Sequence, residues 1–334
     1  MKKSYELDMC NGPILGKILV FAIPLMISGI LQLLFNAADI IVVGRFTGSQ
    51  ALAAVGSTSA LINLIINLFI GVSVGANVVV ARNYGAKDYD GIHGAVHTSV
   101  LTAIWGGIIL IFVGILLARP MLEMMGTPED VIDLSVLYMR IYFVGMPAFM
   151  MYNFGAAILR AIGDTKRPLY FLTLSGVVNV VLNLFFVIVF HMGVAGVALA
   201  TIISQAISAF LIILCLMKMD GPCHLDFKHL KFHPEQLKSM LRIGLPAGLQ
   251  GAIFSISNVL IQSSVNSFGS QVMAGNTAAG NIEGFVYNSM NAVYQTSLSF
   301  TSQNMGAKKF DRINKILFQC LLVVTAIGLV MGGG

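Results

Sequence analysis

The sequence predicts an all-α polytopic membrane protein, and three observations carry the prediction. Of its 334 residues, 57% are hydrophobic and only 10% are charged, with a mean hydropathy of +0.84. That is far more apolar than a soluble domain tolerates. Charge clusters, glycines and prolines divide the chain into nine apolar stretches of roughly membrane-spanning length. The chain also repeats itself. Ile23-Pro24 matches Leu245-Pro246 at an offset of 222, Phe46 matches Phe268 at the same offset, and Asn83-Tyr84-Gly85-Ala86-Lys87 matches Asn304-Met305-Gly306-Ala307-Lys308 at 221.

The predicted spans lie near 17–43, 51–81, 93–118, 131–159, 169–190, 194–217, 243–266, 272–303 and 316–331. The first is too long for a signal-peptide core and lacks a small-residue cleavage site, so it reads as a retained helix. The polar interval from Lys218 to Arg242, with Asp220, Gly221, Pro222, Pro234 and Glu235, reads as a linker. It divides the chain into a six-helix bundle at 1–217, a linker at 218–242 and a second bundle at 243–334. Six spans separate equivalent points, so both repeats enter the membrane from the same side and are parallel repeats around a central cavity. Two whole repeats would make 12 helices. The chain stops within its ninth span, so it reads as truncated by about three spans. With Met1 in the cytoplasm, the inner loops hold 17 of the 20 Lys and Arg residues, leaving only Arg45, Arg119 and Arg140 outside. The net charge of +5 therefore reports topology and not nucleic acid. The four cysteines have no metal-ligand spacing and read as unreactive thiols.

The candidate functional residues are the polar ones that the apolar spans retain. In the first span, Ser28, Gln32, Asn36 and Asp39 fall within an arc of about 80° on a helix. Such a stripe must face protein or a water-filled cavity, and a carboxylate within it is costly enough to imply a function. Loss of water favours the neutral form of a carboxyl group, which suits a group that loads and releases a proton. Pro24 removes a backbone hydrogen bond and allows this helix to bend. Asn179 and Asn183 lie four apart on one helix face, a pattern that also serves plain interhelical bonding. Ser59, Asn63 and Asn67 form a row near Gly71 and Gly75 that suits cavity lining and tight packing equally. Glu283 is the one acidic residue in the apolar part of the second half, with Asn276, Asn281, Asn288, Asn291 and Gln295 nearby. Asp39 aligns with Ile261, so ion coupling belongs to the first half. His93, His97 and His191 read as loop surface.

The pattern resembles the multidrug and toxic compound extrusion (MATE) transporters, in their prokaryotic multidrug-export branch. The likeness rests on Pro24 with Asp39, the NYGAKD after the second span, RAIGDTKRP from Arg160, GLPAGLQ in the seventh span and QNMGAKK from Gln303. The resemblance implies two six-helix bundles and an antiporter that exports organic, mostly cationic or amphipathic, compounds by alternating access. It implies that Asp39, with Asn179, Asn183 and Thr201, forms the proton- or cation-coupling site. Some family members carry Asp where this chain has Asn183, so proton coupling gains weight over a sodium site near Asp39. Gln32, Asn36, Asn63, Asn67, Glu283 and Asn288 are the cavity-lining candidates. The implied partners are small organic substrates and the lipid bilayer of a prokaryotic plasma membrane, with no cofactor, nucleic acid or obligate protein partner. A lipid-linked oligosaccharide flippase of the same superfamily is the alternative reading, and it would want Lys or Arg in the cavity for pyrophosphate. A non-transporting remnant is the second alternative. An intramembrane enzyme would need a nucleophile with a base, or metal-ligand spacing such as HExxH, and neither occurs.

Overall fold

The computed structural model describes residues 5–266 and 270–332, so Phe268 of the repeat lies outside the described residues. Ten α-helices account for most of them: α1 (Ile14–Phe46), α2 (Ser49–Ala86), α3 (Tyr89–Met124), α4 (Glu129–Val144), α5 (Met146–Ala161), α6 (Lys166–Leu184), α7 (Gly193–Met217), α8 (Pro234–Asn266), α9 (Ser270–Gly306) and α10 (Phe310–Gly332). A π-helical turn, Phe185–Val189, continues α6. Helices α1, α2, α3, α7, α10 and α6 with its π turn are long and apolar enough to cross a membrane.

The fourth predicted span is not one helix. Residues 131–159 fall on α4 and α5, which meet at Gly145 with a bend of 48°. Pro147 explains the break, because it has no backbone N–H to continue the ladder and its ring disfavours a helical residue before it. The bend is also packed: a side chain on Gly107 of α3 would overlap the Pro147 backbone. The linker is shorter than expected as well. Helix α8 begins at Pro234, with Glu235 in its first turn, so residues 234–242 are helical. A proline at the first helical position gives up an N–H that has no partner there anyway.

The rest of the linker is docked. His97 is fully buried; its Nδ1 lies 2.8 Å from the His93 carbonyl and its Nε2 3.3 Å from the Asp226 backbone nitrogen. The loop-surface expectation for His97 is therefore wrong: the ring sits within α3 and is covered by the linker at Asp226. Burial in the same linker pushes the Cys223 thiol up to about 12, which leaves it unreactive.

The repeated pentapeptide produces the same local structure twice. Helix α2 ends as Lys87 turns to φ 58° with the Asp88 N–H on the Asn83 carbonyl. Helix α9 ends as Lys308 turns to φ 56° with the Lys309 N–H on the Asn304 carbonyl. These two ends cross each other. A side chain on Gly85 would strike the Gln303 carbonyl, and one on Gly306 would strike the Arg82 carbonyl. Asn77 and Ser299, 222 apart, share a hydrogen bond of 3.1 Å beside the same crossing. Helices α2 and α8 are equally close: Gly71 and Gly75 lie against Gly244, Gly248 and the Met240 carbonyl with no room for a methyl. Small residues permit such backbone approach, which in lipid is the main source of helix–helix attraction.

Helix α1 serves two neighbourhoods. Its first turns put Ile14, Ile18 and Phe21 into a core with Val293 and Phe300 of α9 and Ile316 and Cys320 of α10. Further along, the Phe35 ring lies on Gly176 of α6, so α1 leans onto α6 where Asp39 follows.

Candidate functional site

The site is built where α1, α6 and α7 meet, with α4 packed against α7. Asn179 and Asn183 lie one turn apart on α6 and are buried. The π turn begins two residues after Asn183, a distortion frequent at functional sites. Because Phe35 fits the space over Gly176, the next turn of α1 delivers Asp39 to the two amides. The Asn183 Nδ2 donates to Asp39 Oδ1 and lies 3.4 Å from Asn179 Oδ1. The Asn179 Nδ2 in turn lies 3.4 Å from Thr201 Oγ1 on α7, whose hydroxyl donates to the Val197 carbonyl at 3.0 Å. Asp39, Asn183, Asn179 and Thr201 therefore form one continuous polar chain between helices.

The chain has chemical flexibility at its charged end. Asn183 Oδ1 is buried and has no hydrogen-bond partner, an exception among buried polar atoms. An amide offers a donor to a carboxylate and an acceptor to a protonated carboxyl group, so Asn183 suits both forms of Asp39. The same oxygen suits a bound cation, since Na+ takes oxygen ligands. Among the described residues, no group of three His, Cys, Asp or Glu side chains is placed to hold a metal ion.

Two residues of this neighbourhood escaped the sequence reading. Tyr138 and Tyr142 stand with ring centroids 5.9 Å apart on α4, the helix that packs against α7. Their spacing of four on a span was a usable signal, hidden because tyrosines there read as apolar.

The other candidates divide. Gln32 and Asn36 are exposed and lie on α1 between the face toward α6 (Phe35, Asp39) and the face toward α9 (Gly29, Leu33). The opposite side of α1 carries exposed Ile23, Ile27, Leu34 and Ile41, which suits lipid. Gln32 and Asn36 therefore face the space between α6 and α9. Asn63 and Glu283 are exposed too. Asn67 and Asn288 are instead committed to seams. Asn67 Nδ2 donates to Ser255 Oγ of α8 at 2.9 Å. Asn288 donates to the Gly284 carbonyl at 2.8 Å and packs against Gly29. The side chains of Asn276 and Asn281 lie outside the described residues. Pro24 is buried, and α1 runs through it unbroken, with the Ser28 hydroxyl donating to the Pro24 carbonyl at 2.8 Å.

The MatE family model matches residues 24–185 and 246–332. The chain belongs to this family. It is 31% identical over 305 residues to the probable multidrug resistance protein YoeA of Bacillus subtilis, covering 89% of this chain and 66% of that protein. It is 29% identical over 306 residues to the probable multidrug resistance protein YpnP of the same organism, covering 92% and 68%. The chain thus spans about two thirds of the length of these curated relatives. Among solved structures, the outward-facing conformation of a multidrug resistance MATE family transporter of the MOP superfamily superposes with a TM-score of 0.91 at 26% identity, covering 99% of this chain and 73% of that one. Family membership and the long apolar helices together make this MatE chain a multi-pass membrane protein of the prokaryotic branch.

Proposed function

We infer that the chain acts in the export of organic, mostly cationic or amphipathic, compounds as an ion-coupled antiporter, with the proton as the favoured ion. The observation that carries this reading is the polar chain from Asp39 through Asn183 and Asn179 to Thr201, set in apolar spans with the exposed Gln32 and Asn36 on the same helix as Asp39. An ion drives such a cycle only if it binds two conformations unequally. Asp39 meets that condition because α1 contacts different helices along its length, so bending at Pro24 changes what the carboxylate meets. The two repeats, 1–217 and 243–334, are taken as the bodies that move. The end that carries 17 of the 20 basic residues is taken as cytoplasmic. The naming of YoeA and YpnP as probable multidrug resistance proteins supports export of organic compounds.

The test is efflux of ethidium from proteoliposomes under an imposed proton gradient and, separately, a sodium gradient. Proton-driven efflux supports the reading. Sodium-driven efflux moves the coupling to a cation site at the same oxygens. Failure with both ions, combined with movement of a lipid-linked pyrophosphate, would favour the flippase.

A further inference from the structure

The segment before α1 makes contacts that the transport reading does not use. Residues 5–12 run across the basic end of the molecule and touch both repeats. On the first repeat, the Arg167 guanidinium lies 4.9 Å over the Tyr5 ring, the Tyr84 hydroxyl donates to Glu6 at 3.0 Å, and the Leu7 backbone fills the space at Gly163. Gly163 has φ +97° and turns the chain between α5 and α6; any side chain there would collide with Leu7. Arg167 is itself fixed by Asp164 at 2.8 Å, so the turn is a built docking surface.

On the second repeat the attachment is deeper. Met9 is fully buried in the core with Val293, Phe300 and Ile316. Its carbonyl accepts from Asn304 Nδ2 at 3.0 Å, the Cys10 carbonyl accepts from Lys309 at 3.0 Å, and the Gly12 carbonyl accepts from Arg312 at 3.1 Å. Asp8 organises the segment between, accepting from the Cys10 and Asn11 backbone at 2.9 and 3.2 Å. A buried methionine with three charged or amide donors is the stronger anchor; a solvent-facing tyrosine–carboxylate bond and a cation–π contact are the weaker.

We propose that residues 5–12 are a strap that holds the basic end closed, anchored permanently on α9 and α10 through Met9–Gly12 and released from the first repeat through Tyr5–Leu7 when that end opens. The strap lies over the crossing of α2 and α9, where Gln303 also donates to the Ala161 carbonyl at 2.7 Å. Any motion that separates Gly85 from Gln303 must carry Tyr84 and Gly163 away from Met9, because Tyr84 and Gly163 flank that crossing. The strap would therefore favour the state closed at the basic end, and its weak half sets how readily the state is left. This inference rests on the two repeats moving apart, not on the identity of the ion or substrate.

The test places Glu6→Cys with Tyr84→Cys in a chain whose four native cysteines are serine, and joins them with a short bis-methanethiosulfonate that dithiothreitol releases. Amide exchange over residues 78–86 and 300–306 is read with the linker on and off, and in a Tyr5→Ala, Tyr84→Phe variant. The strap predicts exchange slowed by roughly tenfold when linked, restored by reduction, and raised severalfold in the variant. Equal exchange in all forms overturns it, whether or not the protein transports. In transporting protein, efflux that continues unchanged with the linker in place overturns it as well. Loss of efflux in the reduced form alone speaks against the transport reading and leaves the exchange result to decide the strap.

Discussion

Helices α1 and α8 begin alike and are used differently. Each opens its repeat with an aliphatic residue and a proline, Ile23-Pro24 and Leu245-Pro246. Past that point α1 carries Asp39 onto the two asparagines of α6, whereas α8 carries Ile261, 60% exposed, at the equivalent place. The partners differ too. Helix α8 lies along α2 through Gly71, Gly75, Gly244 and Gly248, a seam closed by backbone on backbone. Helix α1 meets α9 through Gly29 against Asn288 and Leu33 against Gly284, a seam closed by side chains. One copy of the helix is thus spent on a tight joint and the other on chemistry. The lesson is that duplication supplied the frame and divergence at a few positions assigned the roles.

The largest effect is expected from moving the carboxylate across the repeat. The pair Asp39→Ile with Ile261→Asp should leave gradient-driven efflux undetectable, because it takes the carboxylate away from Asn179 and Asn183. Restored efflux would mean that a carboxylate on either helix suffices. Next come the seams. Gly248→Ala forces α8 from the Leu68 backbone and should cost about 2–3 kcal/mol, whereas Gly29→Ala meets only the Asn288 side chain and should cost under about 1 kcal/mol. Melting temperatures in detergent would rank them, and equal costs would erase the distinction between joint and hinge.

Within the site, Asn183→Leu removes a donor to the Asp39 carboxylate, a change worth about 1.5–3 kcal/mol, so with the proton as coupling ion it should favour proton loading and move the pH midpoint of efflux upward. Asn179→Leu, one step further from Asp39, should cost nearer ~0.6 kcal/mol, an ordinary interhelical bond. Titrating efflux against pH in both variants checks the order. An effect of the same small size is expected from Ser299→Ala, which removes one bond to Asn77 at the crossing and should change stability by about 0.6 kcal/mol.

The apolar runs made the helices legible, and the offset of 221–222 marked Gly85 and Gly306 as equivalent positions, but that the two helix ends cross there is seen only in the structure. Asp39 stood out because a carboxylate in an apolar span has no cheap explanation, and its resemblance partners Asn179, Asn183 and Thr201 meet it in one chain. What the residues did not reveal depends on contacts between distant segments. The bend at Gly145 needed Pro147 to be weighed against an otherwise continuous apolar run. Tyr138 and Tyr142 read as core aromatics until α4 is set against α7. The strap is eight polar and apolar residues without period, and only Gly163 and Met9 in three dimensions give it a role.

The central claim is that gradient coupling resides in Asp39. The most direct measurement compares wild type and Asp39→Asn in proteoliposomes for two processes, uphill ethidium efflux under a proton gradient and ethidium exchange with no gradient. Loss of the uphill process with exchange retained is the predicted result. Uphill efflux at the wild-type rate in Asp39→Asn would contradict it.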